Sequence, residues 1–231
     1  AIGYMFQRAM QNEMRRRGID RHAVAVVTQV LIDRDDPAFA DPSKPIGSHM
    51  TEEFARTHAA EHGWQVREEG DRGWRRVVAS PRPQSIVDIG AIETLIDANH
   101  IVIACGGGGI PVYRDDEGDL QGLEAVIDKD LASSLLAHEL NAEFLVITTE
   151  VEKVAVNFGK PDESWIDRMT VAEARAHQAD GQFPAGSMGP KIDAIIEFLE
   201  AGGGAGIVTN PQNLGRAIAG ETGTWIVPDK K

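Results

Sequence analysis

The sequence has a single cysteine and no long apolar run. Cys105 alone cannot form an intrachain disulfide or a cysteine-based zinc site, which agrees with a reducing compartment. No apolar stretch approaches the roughly 18 residues of a membrane span, and the first residues lack the basic-then-apolar pattern of a signal peptide. These absences predict a cytoplasmic protein without a membrane partner.

Basic residues are scarce relative to acidic ones. The 23 lysines and arginines against 36 aspartates and glutamates give a formal net charge of −13. Such a charge repels nucleic acid and anionic membranes over most of a protein surface. We therefore expect no nucleic-acid partner, and any phosphate ligand must be held by a local cationic site.

The remaining composition is that of a folded domain, with 42% apolar and 26% charged residues in a chain of 231. Apolar strands alternate with helical patterns, which predicts an α/β fold: a three-layer sandwich with a mainly parallel central sheet covered on both faces. The expected helices span 2–17, 88–99 and 131–140, and the expected strands span 23–32, 101–105, 126–128, 144–148, 206–209 and 224–227. Residues 113–122 are expected to form a polar turn region, Thr170 and Glu173 to form a capping box, and Ser187 to cap a further helix.

Residues 33–83 differ from the rest of the chain. They are polar, contain five prolines, and place Trp64 and Trp74 among charged residues. This composition predicts a small inserted subdomain. The predicted organisation is therefore 1–32 as the first part of the main domain, 33–83 as the insertion, and 84–231 as the remainder of the main domain.

A run of four glycines follows the predicted strand over 101–105. Glycine N–H groups can approach an anion closely because no Cβ obstructs them and positive φ costs little, so Gly106, Gly107, Gly108 and Gly109 are candidate phosphate-binding residues. The alternative is a merely flexible turn. The run fits neither G-x-x-x-x-G-K-[ST] nor G-x-G-x-x-G, which argues against a P-loop NTPase and an NAD dehydrogenase.

Two lysines lie at predicted helix starts. Lys129 precedes Asp130 where a strand is expected to pass into a helix, and Lys191 lies in the first turn of the helix after Ser187. A helix N-terminus and a nearby lysine both favour an anionic ligand, although a surface lysine beside an ordinary N-cap is the alternative for Lys129.

Two other patterns suggest chemistry. His58 and His62 match the H-x-x-E-H spacing of some zinc peptidases, but the helix is expected to end at Gly63 and no third ligand is evident. Cys105 could be a nucleophile, yet a cysteine at a strand end is more often a small buried apolar residue. We interpret Cys105 as a packing residue.

Six motifs, in this order along the chain, together resemble the carbamate kinases of the amino acid kinase family. They are PSKPIG at 42–47, DRGWRR at 71–76, ACGGGGIPV at 104–112, AVIDKD at 125–130, NFGKPDE at 157–163 and GSMGPKI at 186–192. The resemblance covers essentially the whole chain. It implies an amino acid kinase-like fold with a lid, and reversible phosphoryl transfer between ATP and carbamate that gives ADP and carbamoyl phosphate, with Mg²⁺.

The resemblance also implies roles for individual residues. By similarity, Lys129 and Lys191 neutralise the phosphates, Asp130 orients these lysines and helps to hold Mg²⁺ through water, and Lys44 reaches the carbamate from the lid. The nucleotide-binding residues implied in the same way are Asn157, Phe158, Gly159, Lys160, Pro161 and Met188. No direct protein ligand to the metal is expected. The resemblance also implies a homodimer. Substitution of Lys129 or Lys191 is expected to lower kcat without disturbing folding.

The sequence departs from this family at two places. The family's G-G-N and H-G-N-G-P-Q-V-G phosphate loops do not occur, so we expect the chain to lack the family's N-terminal segment, and Thr149–Glu152 reads TEVE where the family shows a stretch with Asp. Three alternatives follow: another amino acid kinase acting on a carboxylate, a nucleotide-binding module without turnover, and a zinc peptidase based on His58 and His62.

Overall fold

The computed structural model describes residues 2–184 and 186–229, and these residues form seven α-helices and fifteen short strands. The chain divides into two compact units, 1–129 and 130–231. Over the described ranges, no helix combines the length and the apolar character that a membrane crossing requires.

The first unit contains three helices and nine strands. In chain order they are α1 (Ile2–Arg17), β1 (Ala23–Ala25), β2 (Gln29–Leu31), β3 (Lys44–Met50), α2 (Glu52–His62), β4 (Gln65–Glu68), β5 (Trp74–Val78), β6 (Ser85–Ile86), α3 (Ile89–Asp97), β7 (Ile101–Ile103), β8 (Ile110–Arg114) and β9 (Leu120–Gly122).

The strand predicted over 23–32 is in fact two strands, and that prediction is corrected. β1 pairs in parallel with β7, whereas β2 pairs with β8 in parallel and with β6 in antiparallel fashion. The chain changes sheets at Thr28, whose hydroxyl donates to the Val26 carbonyl and accepts from the Cys105 N–H. The continuous apolar run does not reveal this change because both strands are apolar.

Two further predictions in this unit are corrected. Residues 113–122 are largely a hairpin of β8 and β9, in which Asp115 accepts the Asp119 N–H at 2.8 Å and so closes the turn. Residues 126–128 form no strand: the only pairing there is an isolated bridge of Ala125 with Ala79, beside a hydrogen bond from the Val126 N–H to the Ala79 carbonyl.

Within residues 33–83, β3, β5 and β4 form a three-stranded antiparallel sheet in that order. Thr51 is the N-cap of α2, and its side chain accepts the Phe54 N–H. The helix ends at Gly63, which is in the left-handed conformation. We call residues 44–79, which contain β3, α2, β4 and β5, the lid subdomain. The predicted boundaries of the insertion and of the main domain stay predictions.

The second unit contains four helices and six strands. They are α4 (Lys129–Glu139, whose first residue belongs to the first unit), β10 (Phe144–Thr148), β11 (Val154–Val156), β12 (Ser164–Ile166), β13 (Arg168–Thr170), α5 (Val171–Ala179), α6 (Met188–Glu200), β14 (Ala205–Thr209), α7 (Leu214–Ile218) and β15 (Thr224–Val227).

The core of this unit lies between its four-stranded sheet, in the order β10, β14, β15, β13, and helix α6. Every residue of β14 is buried, and so are most residues of α6. Gly206 lets the two approach closely, because a Cβ there would lie 2.1 Å from Cγ2 of Ile195. This packing fixes the position of α6, the helix that carries Lys191.

The capping predictions have different outcomes. Thr170 and Glu173 form the predicted capping box at the start of α5. Ser187 precedes α6, but its side chain makes no capping hydrogen bond, so that prediction is wrong. The Pro184 carbonyl instead accepts the N–H groups of Ser187 and Gly189, which uses donors that an N-cap or an anion would otherwise take.

Candidate active site

A buried ion pair joins two helix starts of the second unit. Asp130 is the second residue of α4, and Lys191 is in the first turn of α6. The Lys191 Nζ donates to Oδ2 of Asp130 at 3.0 Å, and the two side chains are 13% and 9% exposed. Charges this far from solvent are screened weakly, so the Asp130 carboxylate holds the Lys191 ammonium in a defined orientation.

A second ion pair lies in the first unit. The Lys44 Nζ at the start of β3 donates to Oδ2 of Asp128 at 2.5 Å. Asp128 belongs to the AVIDKD motif, but it was not among the candidate site residues of the sequence analysis. Lys129, the next residue, is exposed at the first position of α4.

Two positions of the four-glycine loop have no room for a side chain. A Cβ on Gly108 would lie 2.1 Å from the Ile127 carbonyl oxygen, and one on Gly109 would lie 2.3 Å from Cγ2 of Val30. Both glycines also have positive φ, 136° and 85°. The preceding residue, Cys105, is buried, as its interpretation as a packing residue requires.

The amides of the loop are mostly engaged within it. Gly106 donates to the Ala104 carbonyl, and Gly108 and Gly109 donate to the Cys105 carbonyl. In this conformation these three N–H groups are therefore not directed to an anion. A Cβ on Gly107 would meet nothing within 4 Å.

An apolar cavity of about 210 Å³ lies in the second unit. The predicted residues Phe158 and Met188 line it, together with residues that the sequence did not single out for a ligand site: Thr149, Glu150, Val151, Lys153, Ala155, Trp165, Gln182, Phe183, Pro184 and Ser187. Phe158 and Trp165 meet edge to face, with ring centroids 6.1 Å apart. Their exposed fractions, 63% and 47%, are large for aromatic side chains, so a planar ligand in this cavity would cover apolar surface that water now meets.

The loop over 157–163 connects β11 and β12 and is held in a defined shape. Asn157 has a φ of 52°, its N–H donates to Gln182, and its side-chain amide donates to Asp162. The Gly159 N–H donates to Glu163, and the Lys160 N–H donates to the Asn157 carbonyl. Asn157, Gly159 and Lys160 thus fix the turn before Pro161, while Phe158 reaches the cavity.

His58 and His62 lie on one face of α2, as the sequence predicts. His58 stacks on Phe54 at 3.9 Å and lies 4.8 Å from the ring of Trp64. Its Nδ1 is 3.1 Å from the Phe54 carbonyl. Across residues 2–184 and 186–229, no three His, Cys, Asp or Glu side chains are grouped so that they could hold a metal ion.

Residues 8–210 match the model of the amino acid kinase family. The chain belongs to the amino acid kinase family. The chain has the fold of that family, as the sequence predicts. Relatives named as carbamate kinases confirm the predicted assignment within the family.

Three of these relatives illustrate the similarity. The carbamate kinase of Thermococcus kodakarensis is 46% identical over 226 residues, which cover 98% of this chain and 71% of the relative. The carbamate kinase-like protein YahI of Escherichia coli is 49% identical, with 98% and 72% covered. Carbamate kinase from Giardia lamblia bound to AMP-PNP is similar in structure, with a TM-score of 0.89 and 46% identity, covering 99% of this chain and 72% of that one.

Proposed function

We propose that the chain acts as a carbamate kinase that transfers a phosphoryl group reversibly between ATP and carbamate, giving ADP and carbamoyl phosphate. The observation that carries this proposal is the first turn of α6. Met188 lines the apolar cavity, and Lys191, three residues later, forms the buried pair with Asp130. One helical turn thus provides both an apolar surface for a base and a fixed cation for a phosphate chain.

The nucleotide base binds between Phe158 and Met188 in this proposal. Burial of the exposed aromatic surface favours a planar ring, and the fixed turn over 157–163 limits the loss of chain entropy on binding. The similarity to a carbamate kinase whose structure was solved with AMP-PNP supports an adenine nucleotide.

The phosphoryl group is transferred without a covalent protein nucleophile. A loose transition state spreads negative charge over the equatorial oxygens, so fixed cations stabilise it effectively. Lys191 and Lys129 neutralise this charge, and Asp130 keeps the Lys191 ammonium oriented. By the resemblance, Lys44 contacts the carbamate from the lid subdomain, and a lid of this kind excludes water from an unstable substrate. In the conformation described above, Gly107 is the glycine of the loop that would donate its N–H to a phosphate oxygen.

The donor set fits a magnesium ion that arrives with the nucleotide. Mg²⁺ is usually held by one or two carboxylates, phosphate oxygens and water rather than by a protein cage. Asp130 is the buried carboxylate beside Lys191, so in this proposal it would help to hold the ion through water. Mg²⁺ supplies charge neutralisation on the phosphates when it is bound. A homodimer is part of the proposal by the resemblance alone.

Calorimetry and an acceptor assay test this proposal together. We expect Mg-ADP to bind wild type, and Phe158→Ala to weaken that binding about tenfold through lost ring contact. Phe54→Ala, which removes an exposed ring in the lid subdomain, is the control and leaves the affinity unchanged.

ATP formation is then measured with carbamoyl phosphate and with the acyl phosphates of other small carboxylic acids. A preference for carbamoyl phosphate supports the proposal, whereas a preference for another acyl phosphate supports a different amino acid kinase. Binding without any transfer supports a nucleotide-binding module.

A further inference from the structure

The lid subdomain contacts the segment 124–128 at three points. The Lys44 Nζ donates to Asp128, the Arg76 guanidinium pairs with Glu124, and the Ala79 carbonyl, just after β5, accepts the Val126 N–H at 3.0 Å. The same segment meets the glycine loop, because the Ile127 carbonyl occupies the space that a Cβ on Gly108 would need. Segment 124–128 therefore contacts both the lid subdomain and the glycine loop.

The two ion pairs differ in their surroundings. Asp128 is 13% exposed and Lys44 is 33% exposed, whereas Glu124 is 75% exposed. Solvent and salt screen the Glu124 pair strongly, and such surface pairs order a side chain weakly. The Asp128 carboxylate is shielded, so its hold on an ammonium is stronger.

We infer that Asp128 is a positioning residue that holds the Lys44 ammonium in the orientation that receives the carbamate end of the substrate. This inference rests on the role proposed above for Lys44. A lysine head is a compact charge on a flexible four-carbon stem, and an unrestrained stem must lose its rotamer freedom whenever substrate binds. Asp128 restricts that freedom beforehand. The ammonium has three N–H donors, so one bond to Asp128 leaves donors for an anionic oxygen.

Chemical labelling tests the hold on Lys44 without requiring turnover. Reductive methylation with formaldehyde and a mild hydride, read for each lysine by mass spectrometry, reports how readily each amine reacts. We expect Asp128→Asn to raise the labelling rate of Lys44 about tenfold relative to wild type, while the exposed Lys160 keeps its rate. Glu124→Gln removes the other ion pair and leaves the Lys44 rate unchanged. An equal Lys44 rate in Asp128→Asn and wild type overturns the inference.

Carbamoyl phosphate then shows whether this hold matters for the substrate. We expect it to slow methylation of Lys44 in wild type and to require about tenfold more ligand for the same protection in Asp128→Asn. If the same concentration of carbamoyl phosphate protects Lys44 from methylation in wild type and in Asp128→Asn, the inference is overturned and the proposed function stands. No protection in wild type contradicts the proposed role of Lys44, and with it the role of Asp128.

A double-mutant cycle separates positioning from a direct effect on the neighbouring Lys129. In the ATP-forming assay, Asp128→Asn is expected to raise KM for carbamoyl phosphate more than it lowers kcat. In the Lys44→Met background the same substitution has no further effect if Asp128 acts through Lys44. Additive effects of the two substitutions overturn the inference.

Discussion

The burial of Lys191 and Asp130 changes what a substitution at Lys191 does. Lys191→Met removes the ammonium that pairs with the buried Asp130 carboxylate, which costs about 3–5 kcal/mol of stability. It also lowers kcat by roughly 10²–10³ through lost transition-state stabilisation. For Lys191 we therefore expect a loss of stability, in place of the unchanged folding that the sequence alone led us to expect. Denaturant unfolding and the ATP-forming assay measure the two effects.

Two further variants separate these effects. Lys191→Met combined with Asp130→Asn removes both charges, so we expect it to recover part of the lost stability but none of the activity. Lys129→Met removes an exposed lysine and should lower kcat far more than it lowers stability. Unaltered kcat in Lys129→Met or in Lys191→Met would remove that lysine from the site.

Gly108 and Gly107 offer a matched pair in the glycine loop. Gly108→Ala places a Cβ against the Ile127 carbonyl at a φ that L-residues rarely adopt, so we expect a loss of about 2–4 kcal/mol in the free energy of unfolding. Gly107→Ala meets no neighbour and should leave stability within about 0.5 kcal/mol of wild type. Urea unfolding of both variants is the measurement. Similar stabilities would mean that the loop relaxes around the new methyl group.

At the scale of elements, a helix start or a strand break is predictable from the sequence when the residues that determine it are close together in the chain. The capping box of α5 needs only Thr170 and Glu173, three residues apart, and it was predictable. The break at Thr28 depends on the Cys105 N–H, 77 residues away, and the start of α6 depends on the Pro184 carbonyl rather than on Ser187. The sequence around Thr28 or Ser187 does not indicate these hydrogen-bond partners.

Glu69 gives the lid subdomain a specific dependence on pH. Its hydrogen bond with His49 and the charges of Arg72 and Arg75 lower the pKa of the Glu69 carboxyl below its ordinary value of 4.5. A lowered folded-state pKa means that the stabilisation is present above about pH 4.5 and is lost as the pH falls through the folded-state pKa.

We therefore expect wild type to be more stable than Glu69→Gln above pH 4.5, with the difference shrinking at lower pH. Thermal unfolding across this range measures it. Glu68→Gln, at an exposed neighbouring position, is the control. A difference between wild type and Glu69→Gln that stays constant with pH would contradict the assignment.

For the whole molecule, motifs were sufficient to predict the family, and they name contiguous parts of the proposed site. The glycine run and the loop over 157–163 are strings of neighbouring residues, so the sequence displays them directly. The pairs Lys44–Asp128 and Asp130–Lys191 join residues 84 and 61 positions apart, and folding alone brings them together. The same holds for Trp165 and Phe183, which line the cavity from separate segments. Single residues in the resembling motifs were thus predictable, but their partners were not.

The four tryptophans are divided evenly between the two units, and this makes the protein its own fluorescent probe. Trp64 lies under the Arg76 guanidinium, and Trp74 lies under that of Arg56, so emission from this pair reports on the lid subdomain. Trp165 lines the cavity, whereas Trp225 packs on Phe144. A Trp64→Phe, Trp74→Phe protein would report nucleotide at Trp165, and a Trp165→Phe, Trp225→Phe protein would report the lid subdomain, both without an attached dye.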